Sequence, residues 1–178
     1  LIAEYNNSQG IPTRYISPGE AGIQVTDLPQ NAQILDQSYE ALYNLRTYDE
    51  KLIVPGFFGV SRQNYIVTFP RGGSDITGAI VARGVRADLY ENFTDVSGIF
   101  RANPTIVKNP EVIDEITYRE MRELSYAGFG VFHDEALQPL HKDRIPVVIK
   151  NTNRPNDTGT FIRHDREINS SNIVSGIS

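Results

Sequence analysis

Residues 69–100, FPRGGSDITGAIVARGVRADLYENFTDVSGIF, decide the fold and most of the functional reading of this chain. They open at the end of a short apolar run, 65–69, and pass through Pro70-Arg71-Gly72-Gly73. A stretch follows in which Ile76, Ala79 and Ile80 share one helical face, with Ser74 placed to cap it. A second apolar run, 89–93, ends in the turn residues Thr94-Asp95-Val96-Ser97-Gly98. Strand, helix and strand within roughly 30 residues is the spacing of a βαβ unit.

Outward from this unit the same grammar repeats. Runs at 52–54, before Pro55-Gly56, and at 147–149 do not alternate with polar residues, which suits strands buried on both faces of a parallel sheet. Asp36 is placed to cap a helix carrying Ala41, Leu42 and Leu45. Thr117 and Glu120 form a capping box that opens a helix through Tyr118, Met121 and Leu124 and stops at Gly128. The expectation is an α/β protein, a three-layer α/β/α sandwich with a mainly parallel central sheet and short connections. One domain is the starting assumption at 178 residues. The opening LIAEYNN reads as a helix already under way, so the chain is expected to be a piece of something longer.

Composition narrows the function classes. Apolar residues make up 39% and charged residues 22%, which is a folded rather than a disordered balance. The formal charge of −5 leaves no chain-wide footprint for nucleic acid or an anionic membrane, so any phosphate binding must be local. Absence of cysteine excludes disulfides, thiolate metal sites and a cysteine nucleophile. No apolar run approaches the ~18–20 residues that span a bilayer. A cytoplasmic protein is expected, and the N-x-S/T matches at Asn6, Asn92, Asn156 and Asn169 are read as chance.

Chemistry concentrates in the two turns. After a strand and before a helix, the glycines of Arg71-Gly72-Gly73-Ser74-Asp75 admit a ligand to the backbone, and the helix N-terminus offers N–H groups to an anion. Arg71 adds a planar fork suited to a carboxylate or phosphate. Equally, the element reads as a tight turn with a serine cap and a solvated arginine. In the second turn Asp95 suits a lysine or a metal-bound water, Thr94 a nucleotide hydrogen bond and Phe100 a base. Taken alone, that turn is more often only a turn. His133, His141 and His164 lack metal-ligand spacing, so no metal site is expected, and His133 beside Asp134 reads as a helix-start pair. Residues 111–123 read as a solvent-facing helix in which acids pair with Arg119 and Arg122. No P-loop, GxGxxG or Ser-His-Asp order is present.

In order along the chain, PGFFGVS (55–61), the 69–100 stretch, Asn103-Pro104, ITYREMRELSYAGFGVFHDEAL (116–137) and IPVVIKNTNRPNDTGTFI (145–162) resemble the aspartokinase family of the amino-acid kinase superfamily. The resemblance also takes in YISPGEAG at 15–22. It implies an amino-acid kinase fold, truncated, and transfer of the γ-phosphoryl group of ATP, with Mg2+, to the side-chain carboxylate of L-aspartate. It implies that Arg71 holds the substrate carboxylate and that Gly72, Gly73 and Ser74 lie against substrate or phosphoryl. Asp75 would organise a catalytic lysine, and Thr94, Asp95, Phe100, Asn103 and Pro104 would border the nucleotide.

The resemblance further implies that 1–163 is the later part of a catalytic domain and that 164–178 is a linker entering a regulatory ACT domain. A lysine- and glycine-rich phosphate turn would precede Leu1, and paired ACT domains supporting a homodimer would follow Ser178. The piece alone is therefore expected to be inactive. Relatives often carry Tyr at the place of Phe100, Asp-Pro-Arg at Asn103-Pro104-Thr105, and Gly-Ala-Lys at Gly128-Phe129-Gly130. Alternatives are another amino-acid kinase, of the acetylglutamate or glutamate type, or a non-catalytic binding module.

Overall fold

The structure, a computed structural model, describes residues 1–103, 106–126 and 134–166. The chain divides into two compact units, Leu1–Ala87 and Asp88–Ser178.

The first unit runs α1 (Ile2–Ser8), β1 (Thr13–Tyr15), β2 (Gln24–Val25), α2 (Ser38–Tyr43) with a 3-10 turn (Asn44–Thr47), β3 (Lys51–Ile53), β4 (Phe58–Ser61), β5 (Ile66–Thr68) and α3 (Gly73–Gly84). Strand β1 pairs parallel with β3, and β4 pairs parallel with β2 and antiparallel with β5. Ile23, Leu42, Phe69 and Ile80 are buried together in its core. Each such side chain stabilises the fold by ~1.5–3 kcal/mol relative to exposure.

The second unit contains β6 (Tyr90–Thr94), β7 (Glu115–Thr117), α4 (Tyr118–Tyr126), α5 (Asp134–Lys142), β8 (Val147–Asn151) and β9 (Thr160–Arg163), with strand order β6-β8-β9-β7. Its core gathers Ile116, Met121, Leu137, Leu140, Ile149 and Ile162. Tyr118 is buried with them; its hydroxyl donates to the Ile145 carbonyl at 2.5 Å, and burial pushes its phenol pKa up.

The α/β expectation holds, and four of the six strand pairings are parallel. The strands form three small sheets among the described residues, and the pairs β4–β5 and β8–β9 are antiparallel. Only residues 62–65 and 152–159 separate those pairs, too little chain for the crossover of a dozen or more residues that parallel neighbours need.

Three local expectations need correction. The α2 helix starts at Ser38 rather than after an Asp36 cap. The Ser38 hydroxyl both donates to the carbonyl and accepts from the N–H of Gln24, each at 3.0 Å, tying the helix to β2. Ser74 is likewise no cap: α3 begins at Gly73, and its N-cap is Gly72 with φ +82°. Residues 111–123 are not one helix, because 115–117 enter β7. Their acids pair at long range instead: Glu111 with Arg101 at 3.4 Å, Glu115 with Arg163 at 2.7 Å and Glu120 with Arg166 at 2.5 Å. The expected stop at Gly128, His133, and residues 167–178 of the expected linker lie outside the described residues.

The capping box is present as read. Thr117 donates its N–H to Glu120 Oε2 at 2.8 Å, and Glu120 returns its own N–H to Thr117 Oγ1 at 3.2 Å. Thr117→Ala should therefore lower the unfolding free energy by ~0.5–2 kcal/mol. The measurement is the urea midpoint at constant slope. An unmoved midpoint would mean that the box contributes nothing.

Candidate functional site

The first candidate turn lies in the unit Leu1–Ala87, where β5 runs through Phe69 into α3. Gly72 sits left-handed, a conformation that costs an L-residue with a Cβ about 1–2 kcal/mol. Gly73 is buried, and a Cβ there would stand 2.6 Å from Phe57 Cδ2 and 2.9 Å from Phe69 Cβ. This glycine is thus explained by packing without any ligand. Arg71 and Ser74 are exposed and Asp75 is half-buried in the first turn of α3.

The first intrahelical bond runs from Ile76 N–H to the Gly72 carbonyl at 3.0 Å, and no side chain caps the amides before it. Unpaired amides at the positive end of a helix dipole are the kind of group that favours an anion. Arg71, without an ion pair among the described residues, stands beside it. The turn is fixed from behind. Thr77 Oγ1 donates to the Gly73 carbonyl at 2.7 Å and accepts the Phe57 N–H at 2.9 Å. Phe57 itself holds φ +82°, and its carbonyl accepts Phe69 N–H at 2.9 Å. Sequence reading missed Thr77 and Phe57; the signal was PGFF between two strands and a threonine four residues after Gly73.

The second candidate turn belongs to the other unit and follows β6. Thr94 Oγ1 bonds Asp95 Oδ1 at 3.2 Å, and the Thr94 carbonyl accepts Thr152 N–H at 2.8 Å. Asn151, buried at the end of β8, was also missed. Its Nδ2 donates to the Asp95 carbonyl at 3.3 Å and to Ser97 Oγ at 3.1 Å, while Ser97 donates to Asp157 Oδ2 at 3.0 Å. Thr160 Oγ1 accepts Ile99 N–H at 2.8 Å.

Phe100 is half-buried and pairs with Val112 in an isolated antiparallel bridge. Asn103 is exposed, and its carbonyl accepts the amides of Ile106 and Val107 at 3.0 and 2.9 Å. Pro104 lies outside the described residues. The structure therefore brings Arg71, Gly72, Gly73, Ser74 and Asp75 together in one turn, and Thr94 and Asp95 in another. Among the described residues no three His, Asp or Glu side chains cluster to hold a metal ion.

Residues 1–151 match the model of the amino acid kinase family. Over all 178 residues the chain is 54% identical to Aspartokinase 3 of Bacillus subtilis (strain 168), of which it covers 39%. Its structure resembles the aspartate kinase of Clostridium acetobutylicum with a TM-score of 0.81 and 42% identity, covering 97% of this chain and 38% of that one. Against E. coli aspartokinase III in complex with aspartate and ADP, the TM-score is 0.83 at 26% identity, covering 93% of this chain and 38% of that one. The chain spans less than two fifths of the length of each of these relatives. The strand–RGGSD–helix turn, the α/β architecture and the family match agree: the chain belongs to the amino acid kinase family.

Proposed function

We propose that the intact protein is an aspartate kinase, transferring the γ-phosphoryl group of ATP to the side-chain carboxylate of L-aspartate to give 4-phospho-L-aspartate. The observation that carries this reading is the uncapped N-terminus of α3 with exposed Arg71 beside it. Similarity to Aspartokinase 3, and to a relative whose structure holds aspartate and ADP, supports it.

Arg71 pairs with a substrate carboxylate through two parallel N–H bonds, which orients the other carboxylate. The backbone at Gly72, Gly73 and Ser74 faces substrate or transferring phosphoryl, and Asp75 positions the lysine that neutralises it. Thr94, Asp95, Phe100, Asn103 and Pro104 border the nucleotide. An ionised carboxylate is already a nucleophile. Its oxygen forms the new bond to phosphorus as the bond to the ADP oxygen breaks, and positioning with charge neutralisation suffices. Mg2+, held by the nucleotide phosphates, would supply charge neutralisation there.

In the same reading the protein is cytoplasmic, serves lysine, threonine and methionine biosynthesis, and engages neither nucleic acid nor membrane. Residues 1–163 belong to its catalytic domain and 164–178 lead into an ACT domain through which it dimerises.

ADP release by the intact protein with Mg-ATP and L-aspartate, L-glutamate or N-acetyl-L-glutamate tests the proposal. Glutamate differs from aspartate by one methylene, so aspartate should be preferred by roughly 10- to 200-fold in kcat/KM. Preference for either glutamate compound would make the protein a different amino-acid kinase. Absence of turnover with all three would favour a binding module.

A further inference from the structure

Between α4 and α5 lies a cavity of about 460 Å3. Buried Tyr118 and Leu137 supply its apolar lining, and Arg119, Arg122, His141 and Lys142 bring four basic side chains to it, with Gln138 between. No acidic side chain among the described residues lines it, although the chain as a whole carries −5. Arg119, Arg122 and Lys142 have no ion pair among the described residues, and the His141 ring contacts are to Tyr118 and His164.

A bland account covers part of this cluster. His141 and Lys142 close α5, where cations suit the negative end of the helix dipole. That account fails for α4. Arg119 is the second residue of the helix, where the dipole disfavours a cation, and Arg122, three residues on, is a like-charged neighbour on the same face. A ligand with several negative charges would relieve both costs.

We propose that this cavity binds a small organic polyanion, a molecule carrying two or more carboxylate or phosphate groups, at a site separate from the phosphoryl-transfer turns. Its volume lies within the ~300–1,000 Å3 of small-molecule pockets and exceeds what one inorganic phosphate fills. Tyr118 offers only its ring, because its hydroxyl is committed to Ile145, so a carbon skeleton rests on Tyr118 and Leu137 while the arginines take the charges. An occupant beside His141 is one ring from the segment leaving β9, since the His164 ring stacks on His141 with centroids 5.7 Å apart.

The test is calorimetric titration of the intact protein with citrate and, separately, inorganic pyrophosphate, at low salt with no nucleotide and no added Mg2+. Heat that survives removal of Arg119 and Arg122 belongs to another site. One saturable site is expected for at least one probe; citrate alone would assign carboxylates and pyrophosphate alone phosphates. Arg119→Ala with Arg122→Ala should weaken it by on the order of tenfold or more. Arg62→Ala with Arg86→Ala, the same charge removed at exposed positions outside the cavity, should leave it unchanged. Gln138→Glu, placing a carboxylate in the cavity, should abolish binding. Absence of saturable heat with both probes, or equal losses in the two double variants, would overturn the proposal.

Discussion

Arg71→Ala in the intact protein is expected to lower kcat/KM for aspartate by ~30- to 1,000-fold, or ~2–4 kcal/mol, while KM for ATP changes little. The expectation rests on where the side chain stands. It is exposed immediately before left-handed Gly72, at the uncapped start of α3, and no acid among the described residues occupies its fork. A planar guanidinium there meets a carboxylate with two parallel bonds, and an ammonium meets it with one, so Arg71→Lys should recover only part of the loss. Initial rates with aspartate varied at saturating Mg-ATP, and then the reverse, separate the possibilities. If Arg71→Ala leaves the aspartate kinetics intact and weakens ATP instead, the arginine serves the nucleotide phosphates and the role given to the RGGSD turn is wrong.

What could be read from sequence divides by the distance between partners. The Thr117–Glu120 box was legible because both of its bonds close within three residues, and the strand–turn–helix through RGGSD because its signals are contiguous. Ser74 was misread as a cap because a serine before an apolar face is a good cap in general. Here left-handed Gly72 is the N-cap and the helix starts at Gly73, one residue before Ser74, and burying Gly73 against Phe57 sets that register. Apolar runs announced strands but not their direction. That information lies in the lengths of the 62–65 and 152–159 connections, which are too short for a parallel crossover.

Illegible altogether were the supports of the second turn. Asn151 reaches Asp95 and Ser97 from 56 and 54 residues away, and Ile99 finds Thr160 from 61 away. Nothing local marks such residues, because an asparagine at the end of a strand looks like ordinary turn punctuation. The pairing of Glu120 with Arg166 was hidden for the same reason. The basic cavity between α4 and α5 was read only as a solvent-facing helix, since its walls come from two helices.

Gly98→Ala should be among the most destabilising single changes in the second turn, by about 3 kcal/mol. Two costs combine at this position. Gly98 holds φ +136°, a backbone state that L side chains rarely adopt. A Cβ built there would also lie 2.5 Å from Thr160 Oγ1, 2.9 Å from Val112 Cγ1 and 3.2 Å from the Thr160 amide nitrogen. Thr160 cannot easily give way: it is fully buried at the start of β9, and its hydroxyl holds Ile99 N–H. Relief would therefore break that bond or shift the turn that carries Thr94 and Asp95. Gly10→Ala supplies the comparison, because Gly10 has φ +76° with nothing within 4 Å of the added carbon. It should cost only the conformational part, about 1–2 kcal/mol. Urea midpoints of the two variants measure the difference, and in the intact protein Gly98→Ala should raise KM for ATP before KM for aspartate. Equal midpoints would show that contact with Thr160 adds nothing, and that the turn's position does not depend on β9.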